Sequence, residues 1–515
     1  MLKLCLKNRG LGMHKVVTIL DSNSLSGTLI EIESHLSNSL PNIVIVGFAS
    51  KSVDEAKERI RGAMASSNIK LPKKRIIINL APADIPKEGS FFDLPILVSI
   101  LATAEMIKTF PDNKTVVMGE VGLDGKVRAI RGVIGKILSA KKLGINKFWI
   151  PKDNLAQAKL IPDIELLAID NIKDLYKLLS EFNELNYLKN QKTDINHLLD
   201  STTSGGNIDE VIGQAKAKRA LTIAAAGHHN LILNGPPGTG KTMLAKTIVS
   251  IMPPLTQEEI LQITHIHSLA SRNYDKIISH RPFRSPHHTA SNTAIIGGGQ
   301  TPKPGEISLA HHGVLFFDEL PEFNRSIIES MRQPLEDKII SVSRAKDTLE
   351  FPANFLFIGT SNPCPCGNYG SSKDCTCTPQ QIIKYQRKVS GPILDRIDLY
   401  VDVEEIEHKK LIGKTTSNEF NEISTQIKKA RQKQMERQNK LNSSLSNKDI
   451  HKFASLDTVA KDILDNASAK MNLSARSYIR SIRLARTIAD LENSLEILPE
   501  HISEALQYRK REEAF

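Results

Sequence analysis

Eight residues constrain this chain more than any others: Gly235-Pro236-Pro237-Gly238-Thr239-Gly240-Lys241-Thr242. A phosphate cradle needs backbone N–H groups converging on an anion, glycines that let the chain come close, and a helix start whose dipole favours negative charge. This stretch supplies all three. It follows the apolar run Leu231-Ile232-Leu233, and Met243, Leu244, Ile248 and Ile251 after it recur at helical spacing. The strand, loop and helix that the motif demands are thus in place, and a glycine turn with a chance lysine is the poorer reading. Lys241 is placed to reach the β- and γ-phosphates of a nucleoside triphosphate, and the Thr242 hydroxyl to ligate Mg²⁺.

Holding Mg²⁺ and activating water takes a second element, an acidic pair at the end of a buried strand. Val314-Leu315-Phe316-Phe317-Asp318-Glu319 fits. Alone, an apolar run ending in Asp-Glu reads as a plain strand end. Downstream of a phosphate loop, it assigns Asp318 to Mg²⁺ through water and Glu319 to the attacking water. The apolar runs Leu231 to Leu233, Val314 to Phe317 and Phe355 to Ile358, separated by helical patterns, predict a parallel sheet covered on both faces.

The length of 515 residues, 40% of them hydrophobic, leaves room for about three domains, each with a core. Residues 1–186 alternate strand and helix signals and read as one compact α/β domain. Its signals are a strand at Ile43 to Val46, a helix after Ser52 with Ser52 and Glu55 as a capping box, and a strand at Arg75 to Leu80. A buried helix at Leu94 to Ala104 and a hairpin over Val116 to Ile130, turning at Asp124-Gly125, complete it. Residues 187–207 turn polar and read as a linker, 208–404 as the nucleotide module, and 405–515 as a basic connector and a helical domain. In that last part Tyr478, Ile482, Ala485 and Ala489 mark one apolar stripe. No apolar stretch nears the about 20 residues of a membrane span, and no apolar signal core opens the chain. A cytoplasmic location without membrane contact is expected.

A net charge of +11 and a pI of about 9.2 favour an anionic partner, with a merely solvated basic surface as the even alternative. The excess gathers between Lys409 and Lys440, in Lys409, Lys410, Lys414, Lys428, Lys429, Arg431, Lys433, Arg437 and Lys440.

Further motifs surround the phosphate loop: Val211-Ile212-Gly213-Gln214 before it, then Arg284-Ser285-Pro286-His287-His288, Pro304-Gly305-Glu306-Ile307-Ser308-Leu309-Ala310-His311 and Arg332-Gln333-Pro334-Leu335-Glu336-Asp337. Asn362-Pro363-Cys364-Pro365-Cys366-Gly367 and Leu394-Asp395-Arg396-Ile397-Asp398 follow. With these, nearly the whole chain resembles the Mg-chelatase-like AAA+ ATPases of the YifB/ComM family. The resemblance implies an AAA+ core with a C-terminal helical lid, ATP and Mg²⁺ as ligands, and Val211 and Ile212 lining the adenine pocket. It makes Asn362 the polar sensor of the γ-phosphate and Arg396 the arginine finger that reaches a neighbour's nucleotide. A ring of identical subunits, expected as a hexamer, follows. Arg476, in Leu473-Ser474-Ala475-Arg476, looks like the second sensor; its plainer reading is a helix surface charge.

Cys364, Cys366, Cys375 and Cys377 cluster while Cys5 stands alone, an arrangement that favours a metal over a disulfide framework. Structural Zn²⁺ held by four thiolates is the first reading, free or redox-active thiols the second, disulfides the third; the spacing is tighter than the usual C-x₂-C knuckles. His287-His288 and His311-His312 lack an acidic partner at ligand spacing and read as packing or hydrogen-bonding residues.

In the first domain, Met118 to Val127, then Ala140, Lys141, Gly144 and Ile145, and Ile150 to Asn154 resemble the α+β Lon protease domain, and Pro86-Lys87-Glu88-Gly89-Ser90 resembles the stretch around its catalytic serine. In that register the serine position holds Phe91 and the catalytic lysine position holds Ile134. Neither side chain can serve a Ser-Lys dyad. A dyad shifted to Ser90 and Lys136 stays as the minor alternative, since a shift of one or two residues turns side chains to other faces, and a binding or assembly platform is expected.

Two inserts are candidates for contact with a substrate in the ring pore: residues 285–306, with Gly297-Gly298-Gly299 at the turn, and an alternating strand pair at 339–351 carrying Arg344 and Lys346. The family resemblance points to a DNA motor driving branch migration, on single-stranded or branched DNA. A chelatase-type ATPase that remodels a partner protein is the alternative, and an ATP-dependent protease is disfavoured. Trp149 is the sole tryptophan and aromatics make up 5% of the chain, so contacts would fall mainly on the DNA backbone.

Overall fold

The computed structural model describes residues 15–22, 26–181, 185–190, 206–270, 274–299, 303–343, 348–371, 373–405 and 419–510. The chain forms two compact units: Met1–Leu198 with Gln257–Ile278, and Leu199–Thr256 with Ser279–Phe515. Arg344, Lys346, Lys409, Lys410, Lys414 and Cys5 lie outside the described residues.

The first unit is α+β. Its strands are β1 (Lys15–Ser22), β2 (Ser26–Ser37), β3 (Asn42–Val46), β4 (Arg75–Ala81), β5 (Thr115–Val117), β6 (Glu120–Val121), β7 (Val127–Arg128), β8 (Lys147–Pro151), β9 (Ile164–Ile169) and β10 (Leu188–Asn190). Eight of them make one mixed sheet in the order β10-β9-β8-β5-β1-β2-β4-β3. In β4 every second residue, Ile76, Ile78 and Leu80, is fully buried, as a strand with one covered face requires. The helix Asp93–Thr103 is buried from Asp93 through Ala102, which suits its uniformly apolar sequence.

Three local expectations change. Val116 and Val117 join the main sheet through β5, and only β6 and β7 pair as the hairpin around Asp124-Gly125. The helix at Lys51–Asp54 starts one residue before Ser52, whose hydroxyl accepts from the Gly89 N–H instead of capping a helix end. The polar stretch after residue 186 begins with an edge strand, β10, antiparallel to β9, and Tyr187 accepts the Trp149 indole hydrogen bond at 3.0 Å. By its contacts the helix Gln257–Ala270 belongs to this unit with the chain through Ile278, although the segments before Gln257 and after Ile278 belong to the second.

The second unit is built on β11 (Leu231–Asn234), β12 (Phe283–Arg284), β13 (Gly297–Gly298), β14 (Lys303–Pro304), β15 (Val314–Phe317), β16 (Ile339–Ser343), β17 (Thr348–Pro352), β18 (Leu356–Ser361) and β19 (Leu399–Asp402). Five of these form an all-parallel sheet ordered β12-β15-β18-β11-β19. All four residues of β15 are buried, the signature of a strand covered on both faces. The two inserts appear as the antiparallel pairs β13–β14 and β16–β17.

Helices Glu419–Gln438, Asn447–Phe453, Thr458–Met471, Ala475–Leu491 and Pro499–Gln507 complete the unit and share an apolar core with the sheet. On Ala475–Leu491 the expected stripe holds, with Ile482, Ala485 and Ala489 buried and Tyr478 packed at its edge. The basic stretch is partly consumed in this packing. Arg431 donates to the Ala225 carbonyl at 2.6 and 3.0 Å, Arg437 grips Asp490 at 2.7 and 2.9 Å, and Lys440 pairs with Asp449. Lys428 and Lys429 remain exposed.

Candidate functional site

The parallel register brings the carboxyl ends of β11, β18 and β15 side by side: Asn234 opposes Ser361, and Phe317 opposes Gly359. Ligands of open parallel sheets bind at such an edge. The chain leaves β11 through Gly235 and enters the helix Lys241–Ile251 at Lys241. Gly238 and Gly240 both sit at φ +82°, a region that disfavours side chains, and an added Cβ at either would meet nothing within 4 Å. The helix buries Leu244, Ala245, Ile248 and Ile251, while Met243 of the expected apolar set is exposed. Pro236 and Pro237 carry the loop between, and Thr239 Oγ1 donates to the Pro236 carbonyl at 2.9 Å, closing the turn.

Lys241 Nζ donates to the carbonyls of Gly235 at 2.6 Å and Pro236 at 2.7 Å, and to Asn362 Oδ1 at 3.2 Å. Burial pulls its pKa down to about 8, against the opposing pull of Asp318 and Glu319. Thr242 Oγ1 donates to Asp318 Oδ2 at 3.0 Å, so the two expected Mg²⁺ ligands touch. Thr360 on β18 ties the acidic pair down: its hydroxyl donates to Asp318 Oδ1 at 2.6 Å and accepts the Glu319 N–H at 2.8 Å. Glu319 itself sits at φ +55°, an uncommon conformation for a non-glycine residue that turns the chain sharply off β15. Lys241, Thr242, Asp318, Glu319 and Asn362 thus meet in one place. The open glycine backbone, the cation and the paired hydroxyl and carboxylate fit a Mg²⁺–triphosphate in charge and donor type. Val211 is buried in the apolar core with Ile208 and Ile248, and Ile212 is half-buried beside it in sequence.

Arg396 and Arg476 stand together elsewhere. Arg396 is 6% exposed and donates to the Pro392 carbonyl and to Glu336, both at 2.7 Å, while its Nε is buried without a partner among the described residues. Arg476, exposed at the start of its helix, approaches the other oxygen of Glu336 at 3.5 Å. One carboxylate therefore holds both arginines. Behind them Asp398 is buried and receives Arg480 at 2.7 Å and the Asn230 N–H at 3.0 Å. Burial alone would raise its pKa, but Arg480, His229 and Arg509 outweigh that and hold the carboxyl well below the usual range. Thr360 and Glu336 received no role from sequence. Thr360 lies two residues beyond the apolar run Phe355 to Ile358 and carries no local signal, and Glu336 stands in sequence only within the Arg332–Asp337 motif.

The four clustered cysteines converge so that all their sulfurs lie within 4.8 Å of one another. The Sγ···Sγ separations include 3.3 Å (Cys364–Cys366), 3.6 Å (Cys366–Cys375) and 3.7 Å (Cys364–Cys375). A tetrahedron of thiolates about 2.3 Å from Zn²⁺ has S···S edges of about 3.8 Å, so the set fits that ion. The histidine pairs join no such group among the described residues. His311 Nδ1 accepts the Asn354 N–H at 3.0 Å and His287 Nδ1 bonds the Thr289 hydroxyl at 2.8 Å.

Residues 207–411 match the family described as magnesium chelatase, subunit ChlI; residues 32–154 and 417–509 match two further ChlI descriptions, the last being its C-terminal part. The competence protein ComM of Haemophilus influenzae is 41% identical over 493 residues, covering 95% of this chain and 96% of that protein. This chain belongs to the Mg-chelatase-like AAA+ family. YifB of Escherichia coli K12, another member, is 40% identical over 483 residues, 93% of this chain and 94% of its own length. In this family setting the first unit is Lon-like: the Lon protease of Clostridium beijerinckii is 25% identical over 171 residues, 32% of this chain and 21% of that protease. At the two positions of the expected dyad this chain carries Phe91 and Ile134. Ile134 is fully buried, and the Phe91 ring lies 4.6 Å beneath Lys136 Nζ. Ser90 Oγ instead donates to the Glu120 carboxylate. No helix among the described residues is long and apolar enough to cross a membrane.

Proposed function

We propose that the protein hydrolyses ATP in a ring of identical subunits and uses the energy to move DNA, as a branch-migration motor. The observation that carries the ATPase reading is the meeting of Lys241, Thr242, Asp318, Glu319 and Asn362 at one sheet edge. Bound Mg²⁺ would neutralise charge on the β- and γ-phosphates, with Thr242 and Asp318 as its protein side. Lys241 binds the phosphates, Glu319 polarises the attacking water and Asn362 orients against the γ-phosphate. Arg396, on Glu336 and away from the phosphate loop's own contacts, serves a neighbour's nucleotide as the arginine finger, and Arg476, on the same carboxylate, is the second sensor that couples the lid to phosphate. The spare buried Nε of Arg396 suits an added anionic acceptor. The Cys364–Cys377 cluster is read as a structural Zn²⁺ site.

Two observations support DNA as cargo. One is the 41% identity to a competence protein. The other is an open cleft of about 640 Å³ lined by Arg325, Lys384, Arg387 and Lys388 with Glu322. Among the described residues only Lys388 of these cations is paired, to Glu322 at 3.2 Å. Such cations gain by releasing counterions from a phosphate backbone. DNA should raise the rate of ATP turnover several-fold at low salt, the effect should fade at high salt, and Lys241→Ala should abolish turnover. If DNA neither binds nor stimulates at low salt, a chelatase-type remodelling of a partner protein becomes the better reading; degradation of casein would restore the protease.

A further inference from the structure

The cysteine cluster and the candidate nucleotide site are joined by short links. Cys364 is fully buried and lies two residues after Asn362, whose side chain accepts from Lys241. Gly367, one residue beyond Cys366, lies against the phosphate loop itself: a Cβ there would sit 2.6 Å from Pro237 Cδ and 3.1 Å from Pro237 Cγ. Its φ of +82° is a second reason for glycine at this contact. On the far side of the cluster, Thr378 caps the helix Pro379–Gln386, and Gln386 donates back to the Pro363 carbonyl at 3.2 Å.

Between Pro363 and Cys377 the described residues contain no helix or strand. The segment's backbone bonds are local or run to sulfur, among them Gly367 N–H to the Cys364 carbonyl and Ser371 N–H to the Asn368 carbonyl, both at 3.0 Å, Tyr369 N–H to Cys364 Sγ at 3.3 Å, and the N–H groups of Asn368 and Thr376 to Cys366 and of Cys366 to Cys377. Four thiolates this close repel one another unless a cation neutralises them. An ion bound by all four sulfurs would join the Cys364 and Cys366 limb to the Cys375 and Cys377 limb of the segment that touches Pro237 and follows Asn362.

We propose that Zn²⁺ bound by Cys364, Cys366, Cys375 and Cys377 positions the phosphate loop and Asn362, so that metal occupancy sets affinity for ATP. The proposal rests on the structural-zinc reading given above and adds a consequence that reading alone lacks. A purely structural zinc would stabilise its own loop and leave nucleotide binding untouched.

The test uses the full chain. Elemental analysis after a chelator wash should find one Zn²⁺ per chain. Stripping with a thiol-reactive mercurial plus chelator, then removing both under reducing conditions, should weaken binding of Mg²⁺–ATP at least tenfold, measured by equilibrium titration. Added Zn²⁺ should restore it and added Mg²⁺ should not. In parallel, Gly367→Ala keeps all four thiols and places a methyl group against Pro237, so it should retain zinc yet bind ATP more weakly. Absence of zinc from the washed protein overturns the metal reading and the proposal with it. Zinc present, with equal ATP affinity in the stripped protein and in Gly367→Ala, overturns the coupling and leaves the metal reading standing.

Discussion

Lys241, Asp318 and Glu319 differ in their surroundings at the candidate nucleotide site. Lys241 is held by two loop carbonyls and Asn362, so its ammonium is aimed before any ligand arrives. Asp318 is fixed by Thr242 and Thr360, and Glu319 takes its direction from a backbone turn in the left-handed region anchored on Thr360. Glu319→Gln keeps the volume and removes the base. It should bind ATP about as well as wild type while turnover falls about 10²-fold or more, read by equilibrium binding and steady-state phosphate release. Unimpaired turnover would remove Glu319 as the water activator.

At the scale of elements, buried neutral histidines make the fold sensitive to acid. Burial lowers His311 to about 2 and His228 well below its ordinary value, and His311 Nδ1 is committed as an acceptor from Asn354. In the unfolded chain each takes a proton near about 6.5. Their stabilisation is therefore complete above about pH 6.5 and declines as the pH falls below it, by about 1.4 kcal/mol per pH unit for each histidine. Thermal unfolding of the wild type should move to lower temperature from pH 7 to pH 5, with a shallower trend in His311→Gln; a flat or rising Tm over that interval contradicts the assignment. The elements that carry this site were legible in sequence because β11 and β15 are short apolar runs with one structural solution, and the phosphate loop dictates its own context. Less legible were features set by tertiary contact. Val116-Val117 reads equally as hairpin or sheet strand until β1 and β8 lie beside it, and Arg431 and Arg437 read as surface charge until Ala225 and Asp490 claim them. Glu336 was invisible as a shared partner, since no local pattern connects it with residues 60 and 140 positions away.

For the whole molecule, the two groups of functional residues have different partners. The phosphate loop, acidic pair and Asn362 form one cluster; Arg396 and Arg476 form another on Glu336. Under the ring reading proposed above, Arg396 of one subunit would complete the nucleotide site of the next, so hydrolysis would depend on assembly. In the Lon-like unit Phe91 lies under Lys136 and Ser90 is turned to Glu120, and the proposed reading gives this unit a binding or assembly role. The most direct test is displacement of a labelled strand from a three-way DNA junction by the wild-type protein with ATP and Mg²⁺. The account predicts displacement by wild type at low salt, its loss in Lys241→Ala and in Arg396→Ala, and retained ATP binding in the latter. Equal displacement by wild type and both variants, or none by a wild type that hydrolyses ATP and binds the junction, would contradict it.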